Sequence, residues 1–268
     1  MKELGILVGT GFDPERGGQK NITSALKSRG YFVKEVKHDW PRNEYVYFDE
    51  KYFFERNSEF ESFLRGNAFG NGGMVQTGED FLMISDVVLK YKTFEGEIDV
   101  EKLEKDGEYY EESKKLVAEK GEKEYGARVH IAPTWGANGD IDMYTLLLPK
   151  SKILIYDTDF GQESNKNKDY NKIAEKEGLK YMELAGEKSG VWYPLNSLVL
   201  TKGDNDLVVL DKNSDSLIKL LDKEGIPFIP VDFPQRTYPA GKINCQTNIF
   251  KKSDLVSLKR RLSLIGIN

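Results

Sequence analysis

Apolar residues along the chain follow two alternating periods. Short β-rich runs broken by turn signals give way to segments in which apolar positions recur at helical spacing. The alternation predicts an α/β fold and excludes all-α and all-β architectures. Its clearest unit is LVLTKGDNDLVVLD, residues 198–211, where two apolar strands flank a Gly-Asp-Asn-Asp turn and read as a hairpin. A short helix follows from Ser214, its N-cap, to Gly225, its stop, and then the strand IPFIPVDF. The grammar is strand, strand, helix, strand.

The grammar recurs, which makes a repeat architecture the expectation. Tyr45–Phe48 and the run from Tyr52 flank Asp49-Glu-Lys as a hairpin ahead of the helix-like NSEFESFLRG. Met74–Thr77 and Phe81–Ile84 make another. Met143–Leu148 and Ile153–Tyr156 make a third, followed by a lysine-rich helix near Asn171–Gly178 and the strand KYMELAG. A last hairpin begins at Ile243 and carries Cys245. It closes with the amphipathic helix SDLVSLKRRLSLIG, whose Leu255, Leu258, Leu262 and Ile265 share one face. The charged stretch near residues 99–126 breaks the rhythm and reads as a solvated helix or helical pair inserted between repeats, since opposite charges at helical spacing mark an exposed face. No Pro/Ser-rich linker divides the chain, so residues 1–268 are expected to form one domain.

Composition narrows the classes of partner. The 39 Lys+Arg against 44 Asp+Glu give a net charge of −5, which argues against nucleic acid as a partner. No apolar run approaches the ~18 residues of a membrane span, and the opening MKELGILVGTG lacks the features of a signal peptide, so a cytoplasmic protein without membrane contact is expected. The lone Cys245 excludes an intramolecular disulfide, and with only His38 and His130 beside it no metal site is expected. GTGFDPERGG offers Gly-x-Gly after an apolar run. A dinucleotide fingerprint needs a third glycine at the right spacing and a helix starting on it, whereas Asp13-Pro14 reads as a turn. No cofactor is therefore expected. Cys245, within TYPAGKINCQTNIF, admits two readings: a small hydrophobe packed in a strand, or, given the polar Asn244, Gln246 and Thr247 around it, a nucleophile at a strand end.

Four short blocks, read together and in this chain order, resemble the guanidine-modifying superfamily of deiminases, dihydrolases and amidinotransferases. Trp40-Pro-Arg-Asn43 is similar to its W-x-R-D block, Asn71-Gly-Gly-Met-Val75 to E-G-G-N-x, Asn138-Gly-Asp-Ile-Asp142 to N-G-H-x-D, and Ala240-Gly-Lys-Ile-Asn-Cys-Gln-Thr247 to G-G-x-x-x-C-x-T. Tyr193-Pro-Leu-Asn196 is similar to the Y-x-N that opens the family's fourth repeat. The resemblance spans Trp40 to Phe250 and implies the pentein fold, a five-fold pseudosymmetric α/β-propeller of strand-strand-helix-strand repeats. It also implies a cysteine-dependent hydrolase or amidinotransferase that cleaves a guanidino C–N bond through a covalent thiouronium intermediate. Carried over position by position, Cys245 is the nucleophile, Asp140 and Asp142 are catalytic, and Trp40, Arg42, Asn43, Asn71 and Asn196 bind a guanidino or amino-acid-like substrate.

Three positions depart from the family pattern. Its substrate-binding Asp falls on Asn43, its catalytic Glu on Asn71 and its catalytic His on Asp140. An amide offers hydrogen bonds to a guanidinium without neutralising it, and Asp140, if close, would oppose ionisation of the thiol. Neither histidine is an obvious substitute for the missing one: His38 lies just before the tryptophan block and could approach the site, and His130 sits in the β-run RVHIAP, where packing is the expected role. The alternative is therefore a catalytically inactive pentein that binds a small amino-acid-like ligand or a protein partner.

Overall fold

The computed structural model describes residues 4–10, 18–37, 45–48, 51–54, 72–90, 94, 96–134, 139–158, 166–185, 193–202, 204–233 and 243–264. His38, Trp40, Arg42, Asn43, the helix expected over 57–66, Asn71 and Asn138 lie outside them. Strand β1 (Leu4–Gly9) leads through helix α1 (Gln19–Lys27) to β2 (Phe32–Val36). A two-stranded hairpin of β3 (Tyr45–Phe48) and β4 (Lys51–Phe54) follows. The next unit is β5 (Val75–Thr77), β6 (Phe81–Ser85), α2 (Gly107–Tyr125) and β7 (Arg128–Ala132). After it come β8 (Thr145–Leu148), β9 (Ile153–Asp157), α3 (Lys166–Lys176) and β10 (Lys180–Leu184). Then β11 (Leu198–Lys202), β12 (Asn205–Asp211), α4 (Asp215–Glu224) and β13 (Phe228–Val231) repeat the pattern. Strand β14 (Thr247–Lys251) and helix α5 (Leu255–Leu264) end the described chain.

In three units the first two strands pair antiparallel across a tight turn and the third returns parallel to the second after a helix. A tight turn can only reverse the chain, whereas a parallel partner needs a crossover. The last expected hairpin is different. The strand after Cys245 finds no local partner; β14 pairs antiparallel with β1, from Leu4 opposite Lys251 to Val8 opposite Thr247, and β1 runs parallel to β2. Ile6, Leu7 and Val8 are all buried, so β1 needs a neighbour on each side, and the two ends of the described chain supply one unit between them.

Three other expectations shift. The charged stretch forms one turn at Val100–Leu103 and then α2, whose Ser113, Val117, Gly121 and Tyr125 make a buried stripe against β7. It thus takes the place that α3 and α4 take in their own units. Asp106 caps it by accepting from the Glu108 and Tyr109 amides, and Gly126, at φ 69°, ends it. Helix α3 begins five residues before Asn171, because its first turn is Lys-Asn-Lys-Asp and the apolar period starts only at the buried Tyr170, Ile173 and Ala174. Ser214 does occupy the N-cap of α4, but its hydroxyl makes no capping bond. In α5, Leu258 is buried as expected, while Leu262 and Ile265 lie outside the described side chains.

Three of the helices also pack on the third strand of the unit before them: α3 on β7, α4 on β10, α1 on β13. The apolar clusters follow the same seams. Phe81 and Met83 pack with Tyr144, Tyr156 and Tyr170; Leu146 and Ile155 with Val208 and Leu217; Leu198 and Val209 with Ile6 and Ile22. On the short hairpin, Phe48 joins the cluster of Leu82 and Ile84, and Tyr47 packs against that of Leu7 and Phe250. Among the described residues no helix is long and apolar enough to cross a membrane, and no group of His, Cys, Asp and Glu could hold a metal ion.

Two polar groups are built into these seams. The buried Gln76 amide on β5 donates to the Thr145 carbonyl (2.6 Å) and hydroxyl (2.8 Å) and accepts from the Leu147 amide (2.9 Å), so one side chain continues the hydrogen bonding of β8 where no strand lies beside it. Glu177, just past α3, receives Arg128 on both carboxylate oxygens (2.7 and 3.2 Å) and His130 Nε2 at 2.6 Å. His130 also meets the Phe81 ring edge-on, which is the packing role expected of it. Burial holds the His130 imidazole below its ordinary value, against the opposing pull of Glu177. Burial alone would raise Glu177, but its bonds from Arg128 and His130 prevail and lower it.

Replacing Gln76 by Leu leaves the Leu147 amide and Thr145 carbonyl buried without partners, so urea unfolding should show a loss of about 2–4 kcal/mol. For a histidine lowered on folding, the stabilisation is complete above about pH 6.5 and is lost as pH falls through the folded value. Unfolding free energies between about pH 7.5 and 5.5 should therefore fall more steeply for the wild type than for His130→Gln; parallel profiles would remove His130 as the source.

Candidate active site

Four candidate residues lie among those described, Asp140, Asp142, Asn196 and Cys245, and they sit on turns that lead into the first strands of their units. Residues Ile141–Met143 form a 3-10 turn before β8 and residues 243–246 form the turn before β14. The two turns are built alike. Thr145 Oγ1 donates to the Ile141 carbonyl four residues back (2.6 Å), and Thr247 Oγ1 to that of Ile243 (2.8 Å). In this register Asp142 corresponds to Asn244, and Met143 to Cys245. A third turn, before β11, is closed by the Asn196 amide donating to the Tyr193 carbonyl (3.1 Å).

The three turns meet through side chains. Asn196, only 2% exposed, donates from Nδ2 to Cys245 Sγ (3.2 Å) and to the Asp142 carbonyl (3.4 Å), while its Oδ1 accepts the Cys245 amide (3.4 Å). Asn244 donates from Nδ2 to Asp142 Oδ2 (2.8 Å), and its backbone amide donates to the Asn196 carbonyl (3.4 Å). Cys245 is half-buried; Asp142 is 1% exposed. A half-buried thiol, an amide on its sulfur and a buried carboxylate one hydrogen bond away are thus brought together from positions about 50 and 100 residues apart. Sequence reasoning found Cys245, Asp142 and Asn196 but not Asn244, which the correspondence between the two Ile-x-x-x-Thr turns would have revealed.

Asp140, half-buried, begins the turn that carries Asp142, and its carbonyl accepts the Met143 amide (3.4 Å). The chain is pinned on both sides of residues 135–138. Before them, Asp86 receives the Thr134 and Tyr110 hydroxyls, and Tyr170 donates to the Pro133 carbonyl (2.7 Å). Burial first, and the Asp86 carboxylate second, hold the Tyr110 phenol well above its ordinary value, so it acts as a fixed donor. After them, Gly139 at φ 67° lies so close to Ser85 and Val87 that a Cβ there would come within 2.9 Å of both side chains. Both contacts anchor this turn to the end of β6 and the segment after it.

A cavity of about 480 Å³ is lined by the first strand of every unit, among them Tyr47, Gln76, Leu146, Leu198 and Asn248. Glu79 and Lys150, in turns that follow β5 and β8, lie on it, and so does Asn244, in the turn that precedes β14. It therefore runs along the inner strands toward the turn that carries the cysteine. Among the described residues Asn244 is its contact with the site; the thiol and Asp142 do not face it.

Neither a family model nor a curated protein sequence matches the chain. Solved structures do. Dimethylarginine dimethylaminohydrolase (DDAH) from Pseudomonas aeruginosa, solved as a Cys-to-Ser mutant complexed with citrulline, is similar over 92% of this chain and 98% of its own, with TM-score 0.58 and 10% identity. The N-terminal domain of ArgZ, an arginine dihydrolase from the ornithine-ammonia cycle in cyanobacteria, bound to product, is similar over 92% and 97%, with TM-score 0.57 and 11% identity. SxtG, an amidinotransferase from Microseira wollei in saxitoxin biosynthesis, is similar over 91% and 92%, with TM-score 0.53 and 14% identity. All three are guanidino-modifying enzymes, and the mixed α/β fold that this chain shares with them, nearly end to end, is the pentein fold.

Proposed function

We propose that this protein is a cysteine-dependent enzyme acting on a guanidino C–N bond, either as a hydrolase or as an amidinotransferase. The observation that carries the reading is the Asn196 amide on the Cys245 sulfur with the buried Asp142 carboxylate linked to it through Asn244. The shared fold supports it, as does a structure of an ArgZ variant domain covalently bound to a reaction intermediate, similar over 93% of this chain with TM-score 0.56 and 11% identity. The five small sheets are taken as the blades of one α/β-propeller domain, a reading supported by the apolar clusters that successive units share and by the cavity lined from every first strand.

In this chemistry the Cys245 thiolate adds to the guanidinium carbon. The C–N bond to the departing ammonia or amine breaks as that nitrogen gains a proton, which leaves a thiouronium on the sulfur. Water then attacks the carbon and loses a proton, or an acceptor amine does so, and the C–S electron pair returns to Cys245. Asp142 and Asp140 orient the cation through charge-assisted hydrogen bonds. Trp40, Arg42, Asn43 and Asn71 complete the substrate pocket, with Asn71 positioning the substrate or the water. No cofactor takes part, and the cytoplasm is the proposed location.

A second reading, an inactive pentein that binds a small amino-acid-like ligand, is favoured by the placement of His130 on β7, where it is committed to Glu177. Intact-mass spectrometry after incubation with arginine, an N-methylated arginine and guanidinoacetate separates the two. The wild type should carry an adduct, and Cys245→Ala should lose the adduct along with at least about a thousandfold of turnover. Turnover unchanged in Cys245→Ala overturns the nucleophile; no adduct and no turnover with any guanidine favours the binding protein. Asp140→His, which restores the family residue, should raise deiminase activity if Asp140 is a lost acid-base position; destruction of native activity instead gives Asp140 its own role.

A further inference from the structure

We propose that Asn196 is a positioning residue that favours the ionised form of Cys245 over the thiol. The inference rests on the reading of Cys245 as a nucleophile, and its geometry is independent of any substrate. Because Asn196 Oδ1 accepts the Cys245 amide, the orientation of the carboxamide is set and Nδ2 is the atom that faces the sulfur. An N–H group pointing at sulfur favours the thiolate, the better acceptor, over the thiol. The charged groups on the facing turn are carboxylates, Asp142 and, two residues earlier, Asp140; a nearby negative charge favours the protonated thiol. A fixed donor on the sulfur offsets that repulsion.

The backbone that presents Asn196 is strained. Tyr193 adopts φ 53°, the left-handed region that a bulky side chain rarely enters, and it precedes Pro194, which further disfavours a helical conformation at that residue. Such strain persists only where its surroundings impose it, and it gathers at functional sites. Here the Tyr193 carbonyl closes the turn on the Asn196 amide, and the carbonyl of Asn196 in turn receives Asn244. Buried Asn196 is held at both its main chain and its side chain, so its carboxamide cannot swing away from the sulfur as substrate enters.

Because Cys245 is the one cysteine of the chain, thiolate absorbance near 240 nm and the pH dependence of iodoacetamide labelling report on it alone. Asn196→Asp keeps the acceptor for the Cys245 amide and exchanges the donor on sulfur for a carboxylate oxygen. It should raise the thiol pKa by at least about one unit, a tenfold or greater drop in labelling rate at fixed pH below the titration midpoint. Asn196→Ser, smaller and neutral, should raise it in the same direction by less, and it carries the test should the Asp variant fail to fold. Thermal unfolding runs alongside, since a merely structural asparagine would lower the melting temperature and leave the titration where it was. A thiol pKa unshifted or lowered in a folded variant overturns the proposal. The titration needs no substrate: guanidine turnover that survives Cys245→Ala would sink the nucleophile reading while the titration still decides about Asn196, and an unshifted titration with adduct formation intact would remove Asn196 alone.

Discussion

The pairing of β14 with β1 is the constraint on which the site depends. Cys245 lies two residues before β14, and where that strand docks sets the position of its turn, which bonds to Asn196 and Asp142 then secure. The ladder to β1 fixes it, and the Gly9 amide extends the ladder by donating to the Gln246 carbonyl (2.9 Å), one residue from the thiol. A slip of β14 by one residue in this register would turn Phe250 away from the core it shares with Leu7 and Val36 and carry the sulfur away from Asn196. Packing of apolar residues thus specifies the placement of a polar site.

The site itself is knit from amides. Asn196 and Asn244 join three turns by hydrogen bonds among a thiol, a carboxylate and main-chain groups, and they bring no formal charge of their own. Among the described residues the formal charges on these turns are those of Asp142 and Asp140, and a carboxylate near a sulfur disfavours its anion. The close approach of Gly139 to Ser85 and Val87 anchors the turn that carries these carboxylates to the end of β6.

How much of this was legible along the chain follows from distance in sequence. The hairpin of β11 and β12, with α4 and its terminal Gly225, could be read directly, since both partners, the turn and the helix stop are adjacent. The partner of β14 could not, because an alternating apolar run says that a strand exists and nothing about which edge it will meet. The charged stretch that became α2 misled for a different reason: Ser113 and Gly121, half of its buried stripe, have no hydrophobic signature. In the site, Cys245, Asp142 and Asn196 stood out through short motifs, whereas Asn244 looked like an ordinary neighbour of the cysteine. Its importance is geometric, for it occupies in its own turn the place that Asp142 holds in another.

Joining the two ends of the described chain in one sheet also sets an order of events in synthesis. Strand β1 leaves the ribosome first, and its partner β14 follows about 240 residues later, on the order of ten to fifty seconds at ordinary elongation rates. Through that interval β1 can pair with β2 but keeps one bare, apolar edge, the kind of edge that recruits strands from other chains. The thiol emerges only just before that edge is covered. A nascent chain thus passes through the stage at which this edge is bare before Cys245 has been made, and the same strand that ends the exposure completes the environment in which the sulfur is held.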